Sequence, residues 1–160
     1  MVIQVHYKKK SEINIKDYLD ENGVAFLEAT TSDQAIRQLI NHLTENHKLL
    51  NKEEFYQAVL EREKIVSTGI GMGIAIPHAK LPMYDDFFLA IGILKRGVHW
   101  SSLDKIPVRL IFLIGGPDDQ QTLYLKLLSQ LTFSLRDEQK RKKLLTLTSP
   151  KEIISLFKNS

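Results

Sequence analysis

Residues 62–78 read Arg62-Glu63-Lys64-Ile65-Val66-Ser67-Thr68-Gly69-Ile70-Gly71-Met72-Gly73-Ile74-Ala75-Ile76-Pro77-His78. Three alternate glycines precede a short apolar strand predicted at 74–76, and proline breaks that strand just before a histidine. Glycine has no Cβ, so its backbone amide can approach a bound anion closely. Pro77 fixes its own φ and favours an extended Ile76, so we expect the His78 imidazole to leave the strand end in a defined direction. The backbone predicted to form an anion-binding loop belongs to Gly69, Gly71 and Gly73.

The chemistry that this stretch suggests is transfer of a phosphoryl group. A neutral imidazole is a good nucleophile near neutral pH, so we predict that His78 carries phosphate. Arg62 can neutralise charge on phosphoryl oxygens, because a guanidinium offers paired N–H donors. Ser67 and Thr68 can add hydroxyl donors, although turn residues of this type often bond their own backbone. The sequence does not decide which ring nitrogen of His78 reacts.

The glycine spacing argues against nucleotide-binding motifs. A dinucleotide fingerprint would need its third glycine at position 74, which is Ile74, and no Gly-Lys-Ser/Thr follows, as a Walker loop requires. We therefore predict no cofactor. The remaining histidines suggest no metal site either, because His42 and His47 are five residues apart, the wrong spacing for a helical pair of ligands. For these two, and for His6 and His99, we expect structural or solvated roles.

Composition limits the class of protein. A chain of 160 residues with 43% apolar and 26% charged residues suits one globular domain, here 1–160 with 1–12 as a loose extension. Its longest apolar runs, Phe87–Leu94 and Leu110–Ile114, fall far short of the ~20 residues that span a bilayer. The N-terminus lacks the h-region of a signal peptide, so we expect a cytoplasmic location and no membrane insertion. Cysteine is absent, so a cysteine that accepts the phosphoryl group would lie on another chain.

The net charge of +3 is weak evidence for a polyanionic partner. Basic residues cluster at 8–10 and 140–143, which we interpret as a solvated arm and a solvated helix face. A nucleic-acid surface would be wider and interleaved with aromatic residues. We therefore expect no nucleic-acid partner, and binding through 140–143 is only the weakest alternative.

Strand-like and helix-like segments alternate along the chain, which predicts an α/β single-domain sandwich with a mixed β-sheet flanked by helices. Strands are expected at 24–27, 74–76, 87–94 and 108–114. Helices are expected from Asp33 as N-cap to about Asn46, from Asn51 as N-cap toward Glu63, at 120–135 and 138–145, and after Ser149-Pro150.

Residues 62–78 also resemble the active-site signature of the fructose/mannitol class of enzyme IIA, a domain of the bacterial phosphoenolpyruvate-dependent phosphotransferase system that includes a nitrogen-regulatory branch. The resemblance extends to 17–19, to 33–46, to 103–108 with Gly116-Pro117, and to 125–131. It implies that His78 accepts a phosphoryl group from the phosphocarrier HPr, or from its nitrogen-branch counterpart, and passes it to a cysteine of an enzyme IIB domain. No metal is required in that family.

One position departs from the pattern of this family. Many members carry a second histidine near the phosphorylated one, and the matching residue here is Tyr124. Tyrosine can donate a hydrogen bond to a phosphoryl oxygen, so we count Tyr124 among the phosphoryl-binding residues, but it cannot become cationic. The departure leaves a second function open: a regulatory module whose phosphorylation at His78 switches binding to a sensor or transporter.

Overall fold

The computed structural model describes residues 13–45 and 49–158, and in this part of the chain a six-stranded mixed sheet lies between two layers of helices. The strands are β1 Val24–Leu27, β2 Gly69–Gly71, β3 Ile74–Ala75, β4 His78–Lys80, β5 Phe88–Val98 and β6 Val108–Gly116. The helices are α1 Ser32–Glu45, α2 Lys52–Ile65, α3 Gln121–Ser134, α4 Glu138–Leu144 and α5 Pro150–Ser155, and short 3₁₀ helices cover Ile15–Tyr18 and Glu21–Gly23. The predicted α/β sandwich is confirmed.

The sheet has the order β1-β5-β6-β3-β2, and β4 also pairs with β6. Strands β5 and β6 are antiparallel, whereas β1, β3 and β4 run parallel to their neighbours in the centre. Both central strands are apolar because both faces are covered. Along β6, Phe112 and Ile114 pack in the cluster with α3, α4 and α5, while Ile111 and Leu113 pack in the cluster with α1 and α2.

The proline before His78 interrupts the sheet without ending it. Ile74 pairs with Leu110 and His78 pairs with Ile114, so the same number of residues separates the two pairs on both strands. The Ile114 N–H donates to the Pro77 carbonyl, at 3.0 Å, which bridges the gap. The predicted break at Pro77 therefore separates β3 from β4 without shifting the register, because a missing proline N–H removes one donor but not the neighbouring acceptor.

Two of the predicted helix starts need correction. Helix α1 begins at Ser32, and the Thr31 hydroxyl accepts the Gln34 N–H, so Thr31 and not Asp33 caps it. Asn51 does precede α2, but it has a φ of 51° and its amide donates to the Glu54 side chain instead of capping the backbone. The predicted start of the last helix at Ser149-Pro150 is confirmed, and the Ser149 hydroxyl accepts the Glu152 N–H as the N-cap of α5.

The basic cluster 140–143 lies on α4. Arg141 donates to the carbonyls of Leu135 and Arg136, and Lys140 donates to the Ser134 hydroxyl. These two cations therefore stabilise the C-terminal end of α3, where free carbonyls attract positive charge. The calls on the other basic cluster, 8–10, on the extension 1–12, on His6, His47 and the helix end at Asn46 lie outside the described residues.

Candidate functional site

A cleft of about 690 Å³ lies beside the end of α2, strand β4 and the first turns of α3. All five side chains singled out from the sequence line it, namely Arg62, Ser67, Thr68, His78 and Tyr124. They come from three elements and from the loop after α2, so the fold brings together residues up to 62 positions apart in the chain. Their individual contacts decide what each can do.

The imidazole of His78 is oriented by the backbone. Its Nδ1 lies 3.0 Å from the carbonyl oxygen of Ile76. A carbonyl can only accept a hydrogen bond, so Nδ1 carries the proton and Nε2 carries the lone pair. The ring is half-buried and lines the cleft. This arrangement gives the imidazole one tautomer and leaves Nε2 as its nucleophilic atom.

The surroundings of His78 also keep it neutral. Burial lowers its pKa below the ordinary value of 6.5, and the Arg62 and Lys80 cations lower it further. The bond to Ile76 and the Glu63 carboxylate oppose this shift, but the net direction is down. A neutral ring is the form that can attack a phosphorus atom, and the two cations suit the anion that such an attack would bring.

Arg62 stands in the last turn of α2. One of its N–H groups donates to the carbonyl of Val66, at 2.8 Å, which holds the chain as it leaves the helix. A guanidinium has five N–H donors, so this bond uses a small part of its capacity. Its positive charge also lowers the pKa values of Lys80 and Tyr124, which places it within electrostatic reach of the whole cleft. Burial is the larger influence on both groups and raises the pKa of Tyr124.

The hydroxyls of Ser67 and Thr68 are engaged inside the protein. Ser67 Oγ donates to the Trp100 carbonyl and accepts the Gly69 N–H. Thr68 Oγ1 donates to the Glu63 carboxylate, 2.7 Å from Oε2. Both residues line the cleft with their hydrogen atoms already bonded, so their role as donors to a phosphoryl group stays a prediction.

Glu63 is a site residue that the sequence did not single out, although it directly follows Arg62. Its carboxylate accepts the Thr68 N–H at 2.8 Å and the Trp100 indole N–H at 2.9 Å. The Thr68 carbonyl in turn accepts the Ile76 N–H, and the Ile76 carbonyl accepts from His78. Glu63 thus stands at the start of a chain of hydrogen bonds that ends on the imidazole.

Lys80 and Gln121 are two further cleft residues that sequence reasoning missed. The Lys80 ammonium donates to Gln121 Oε1 and lies 4.2 Å from the ring centre of Tyr124. The ring centres of Tyr124 and His78 are 5.4 Å apart. Alternate residues of a strand share a face, so the position of Lys80 two residues after His78 was the available signal.

The three glycines lie in a hairpin and do not line the cleft. Met72 and Gly73 at its turn have φ values of 59° and 75°, as a tight hairpin turn requires. A Cβ on Gly69 would come within 2.2 Å of Ser102 Oγ, so glycine there permits close packing against another loop. The structure thus explains these glycines by turn geometry and packing, while their predicted anion-binding role has no support from the cleft.

Residues 13–45 and 49–158 contain no group of three or more His, Cys, Asp or Glu side chains that could hold a metal ion. Over the same ranges, no helix combines the length and the apolar character needed to cross a bilayer.

The chain matches one family model and is similar to named proteins of two kinds. Residues 17–160 match the family model "Phosphoenolpyruvate-dependent sugar phosphotransferase system, EIIA 2". The chain is 36% identical over 131 residues to the fructose-specific EIIABC component of Bacillus subtilis, covering 82% of this chain and 21% of that protein. It is 37% identical over 94 residues to a nitrogen regulatory protein of Bradyrhizobium diazoefficiens, covering 59% of this chain and 61% of that one. It therefore spans less than two thirds of the length of either relative.

Among solved structures, the chain resembles the nitrogen regulatory protein IIA-Ntr from Neisseria meningitidis. The TM-score is 0.82 at 25% sequence identity, and the match covers 89% of this chain and 98% of that one. The sheet and both helical layers described above therefore match a solved fold over most of the chain.

Proposed function

This chain belongs to the EIIA 2 family of the phosphoenolpyruvate-dependent sugar phosphotransferase system, and we propose that His78 is the residue on which it carries the phosphoryl group. The observation that supports the choice most directly is the bond from Nδ1 to the Ile76 carbonyl, which leaves the lone pair on Nε2. The cleft around this ring contains two cationic side chains, Arg62 and Lys80. We propose no cofactor and no metal for this step.

The transfer conserves atoms and charge in each direction. Nε2 of His78 attacks the phosphorus of a phosphohistidine on a donor protein. The donor's P–N bond breaks, its electron pair stays on the donor nitrogen, and a new P–N bond forms at Nε2. Nδ1 keeps its proton and its bond to Ile76 throughout, so the chain needs no general base for this step. In the second transfer a thiolate attacks the same phosphorus, and Nε2 recovers its lone pair.

The donor in this proposal is HPr or its nitrogen-branch paralogue, and the acceptor is the cysteine of an enzyme IIB domain on a separate chain. These 160 residues contain no cysteine, so the accepting thiol must lie outside them. The related Bacillus subtilis protein is named for joined A, B and C components, which fits an A–B transfer. We place the reaction in the cytoplasm, where phosphoenolpyruvate is produced.

The proposal is tested by incubating the protein with labelled phosphoenolpyruvate, enzyme I and HPr. The wild-type protein should acquire label, and His78→Ala should acquire none. His99→Ala is the matched control, because His99 is exposed and its Nε2 contacts only the neighbouring Ser101 hydroxyl in the described structure. Equal labelling of His78→Ala and His99→Ala would refute the assignment.

A regulatory role is a second candidate, supported by the likeness to nitrogen regulatory proteins. In this case the phosphoryl group on His78 acts as a signal, because it adds a charge of about −1.5 to −2 to the cleft at neutral pH. That change would control binding to a sensor or transporter. A pull-down with phosphorylated and unphosphorylated protein tests this, and identical sets of bound proteins would contradict it.

A further inference from the structure

Lys80 and His78 face the same helix from the same strand. Ala79, between them, packs in the cluster formed with α1 and α2, so the residues on either side of it point to the other face of the sheet. On that face lies α3, whose Tyr124 ring is near both side chains. Two residues along a strand are separated by about 6.6 Å. The Lys80 stem is long enough to bring its ammonium to a group bound on the imidazole.

The ammonium of Lys80 contacts two uncharged groups, an amide oxygen and an aromatic ring. It donates to the amide oxygen of Gln121, at 2.6 Å, and stands 4.2 Å from the Tyr124 ring centre. Within the described residues 13–45 and 49–158, Lys80 forms no ion pair with a carboxylate. An ammonium has three N–H donors, and the bond to Gln121 uses one of them.

The surroundings of this ammonium disfavour its charged form. Burial and the nearby Arg62 guanidinium both lower the pKa of Lys80. Two like charges that share a cleft repel each other, and a dianion between them would turn that repulsion into attraction.

We infer that Lys80 binds the phosphoryl group on His78, and that Gln121 and the Tyr124 ring hold its ammonium ready while His78 is unmodified. This inference rests on the proposed function of His78. Arg62 approaches the cleft from α2 and Lys80 from β4, so the phosphoryl oxygens receive a cation from two directions. When His78 is phosphorylated, Nζ exchanges the Gln121 oxygen for a phosphoryl oxygen, and no covalent bond changes.

The consequence is a longer lifetime of the phosphohistidine. A hydrogen bond to a charged group is stronger than one between neutral groups, so its loss should be visible in the stability of the P–N bond. Lysine keeps its charge in this role and transfers no proton. Lys80 is therefore a binding residue for the phosphorylated form, and the unmodified nucleophile should remain oriented without it.

The test compares Lys80→Gln, Lys80→Arg and the control Lys95→Gln, since Lys95 is exposed and pairs with Glu28 away from the cleft. Each protein is loaded chemically with phosphoramidate as well as through HPr, and loss of phosphate from His78 is followed by ³¹P NMR at neutral pH. We expect Lys80→Gln to lose phosphate roughly tenfold faster than wild type, because it lacks one charge-assisted hydrogen bond. Lys80→Arg should stay close to wild type.

The outcomes distinguish a failure of the inference from a failure of the function on which it rests. If Lys80→Gln loses phosphate at the rate of Lys95→Gln, the inference is overturned while phosphorylation of His78 stands. If phosphoramidate loads His78 but HPr does not, the proposed donor is wrong, and the comparison of lifetimes still decides the role of Lys80. If neither reagent loads His78, both proposals fall. Thermal unfolding of the variants checks that a faster loss does not come from unfolding.

Discussion

The stretch 62–78 contains two candidate anion sites, the hairpin 69–73, called the glycine end below, and the cleft at His78, called the histidine end, and the structure builds them for different tasks. At the glycine end, the hairpin packs against the loop 101–107, and the Asp104 carboxylate accepts the backbone N–H of Met72 and of Ile106. At the histidine end, the chain borders an open cleft with cations from two elements. The glycine end thus brings a negative group to backbone donors inside the protein, whereas the histidine end presents positive groups to an incoming ligand.

This contrast shows that backbone N–H groups near glycines do not by themselves make a ligand site. The two N–H groups bonded to Asp104 lower the pKa of that carboxyl, which is the effect expected when amides stabilise an anion. The anion in question belongs to the protein itself. The external anion is expected where Arg62 and Lys80 are found.

The largest expected effect tests the histidine end. Replacing Arg62 by methionine removes a guanidinium from the cleft, and we expect phosphoryl transfer to His78 to slow about a hundredfold, as for loss of one preorganised donor. Arg96→Met is the control, since Arg96 is an exposed residue of β5. Rapid-quench measurement of transfer from phosphorylated HPr gives both rates. Equal rates for the two variants would remove Arg62 from the mechanism.

The glycine end should respond in stability and not in transfer. The added methyl group of Gly69→Ala would lie 2.2 Å from Ser102 Oγ and 3.3 Å from Ser102 Cβ. Both residues lie where the hairpin packs against the loop 101–107. Overpacking of this kind costs about 1–3 kcal/mol in the free energy of unfolding, measured by urea denaturation.

Two further variants sharpen this prediction. Gly23→Ala is the matched control, because its new methyl would be 3.4 Å from the nearest atom, an ordinary contact. Adding Ser102→Ala to Gly69→Ala should recover most of the loss, since the atom in the closest clash is removed. A Gly69→Ala protein that is as stable as wild type but fails to accept phosphate would show that the hairpin does belong to the site.

The smallest effect concerns the pH dependence of the histidine end. His78 faces the Arg62 and Lys80 cations and the Glu63 carboxylate, and its pKa is lowered chiefly by burial. NMR titration of the ring should therefore show a midpoint below 6.5, and Arg62→Met should move that midpoint upward.

The same shift has a consequence for stability. The unfolded chain binds a proton at His78 near pH 6.5, whereas the folded chain binds it only at lower pH. The contribution of neutral His78 to the free energy of unfolding is therefore fully present above pH 6.5, and it is lost as the pH falls through the folded-state pKa. Between those two pH values, the free energy of unfolding of His78→Gln should therefore change less with pH than that of wild type. A wild-type midpoint above 6.5 would contradict the electrostatic description of the cleft.

Local patterns predicted much of this molecule, but they did not predict its long-range contacts. Strand β1 has the predicted bounds, and β5 and β6 lie where apolar runs indicated buried strands. The stretch 62–78 predicts His78 and Arg62 as site residues, and the match to a second histidine of the family predicts Tyr124; all three line one cleft. By contrast, the contact of Gly69 with Ser102 and the bond from Trp100 to Glu63 join segments more than 30 residues apart. Such contacts depend on the folded arrangement of loops, which periodicity and turn chemistry do not determine.

The unbroken register across Pro77 limits how the chain length of this segment can vary. Side chains of β3 and β4 alternate between the two helical layers as one continuous strand would, with Ile74 and His78 on the side of α3. Deleting or inserting one residue between them would turn the imidazole toward α1 and α2, into hydrocarbon. Homologous proteins of this kind should therefore tolerate substitutions between the hairpin and the histidine far more readily than any change in spacing.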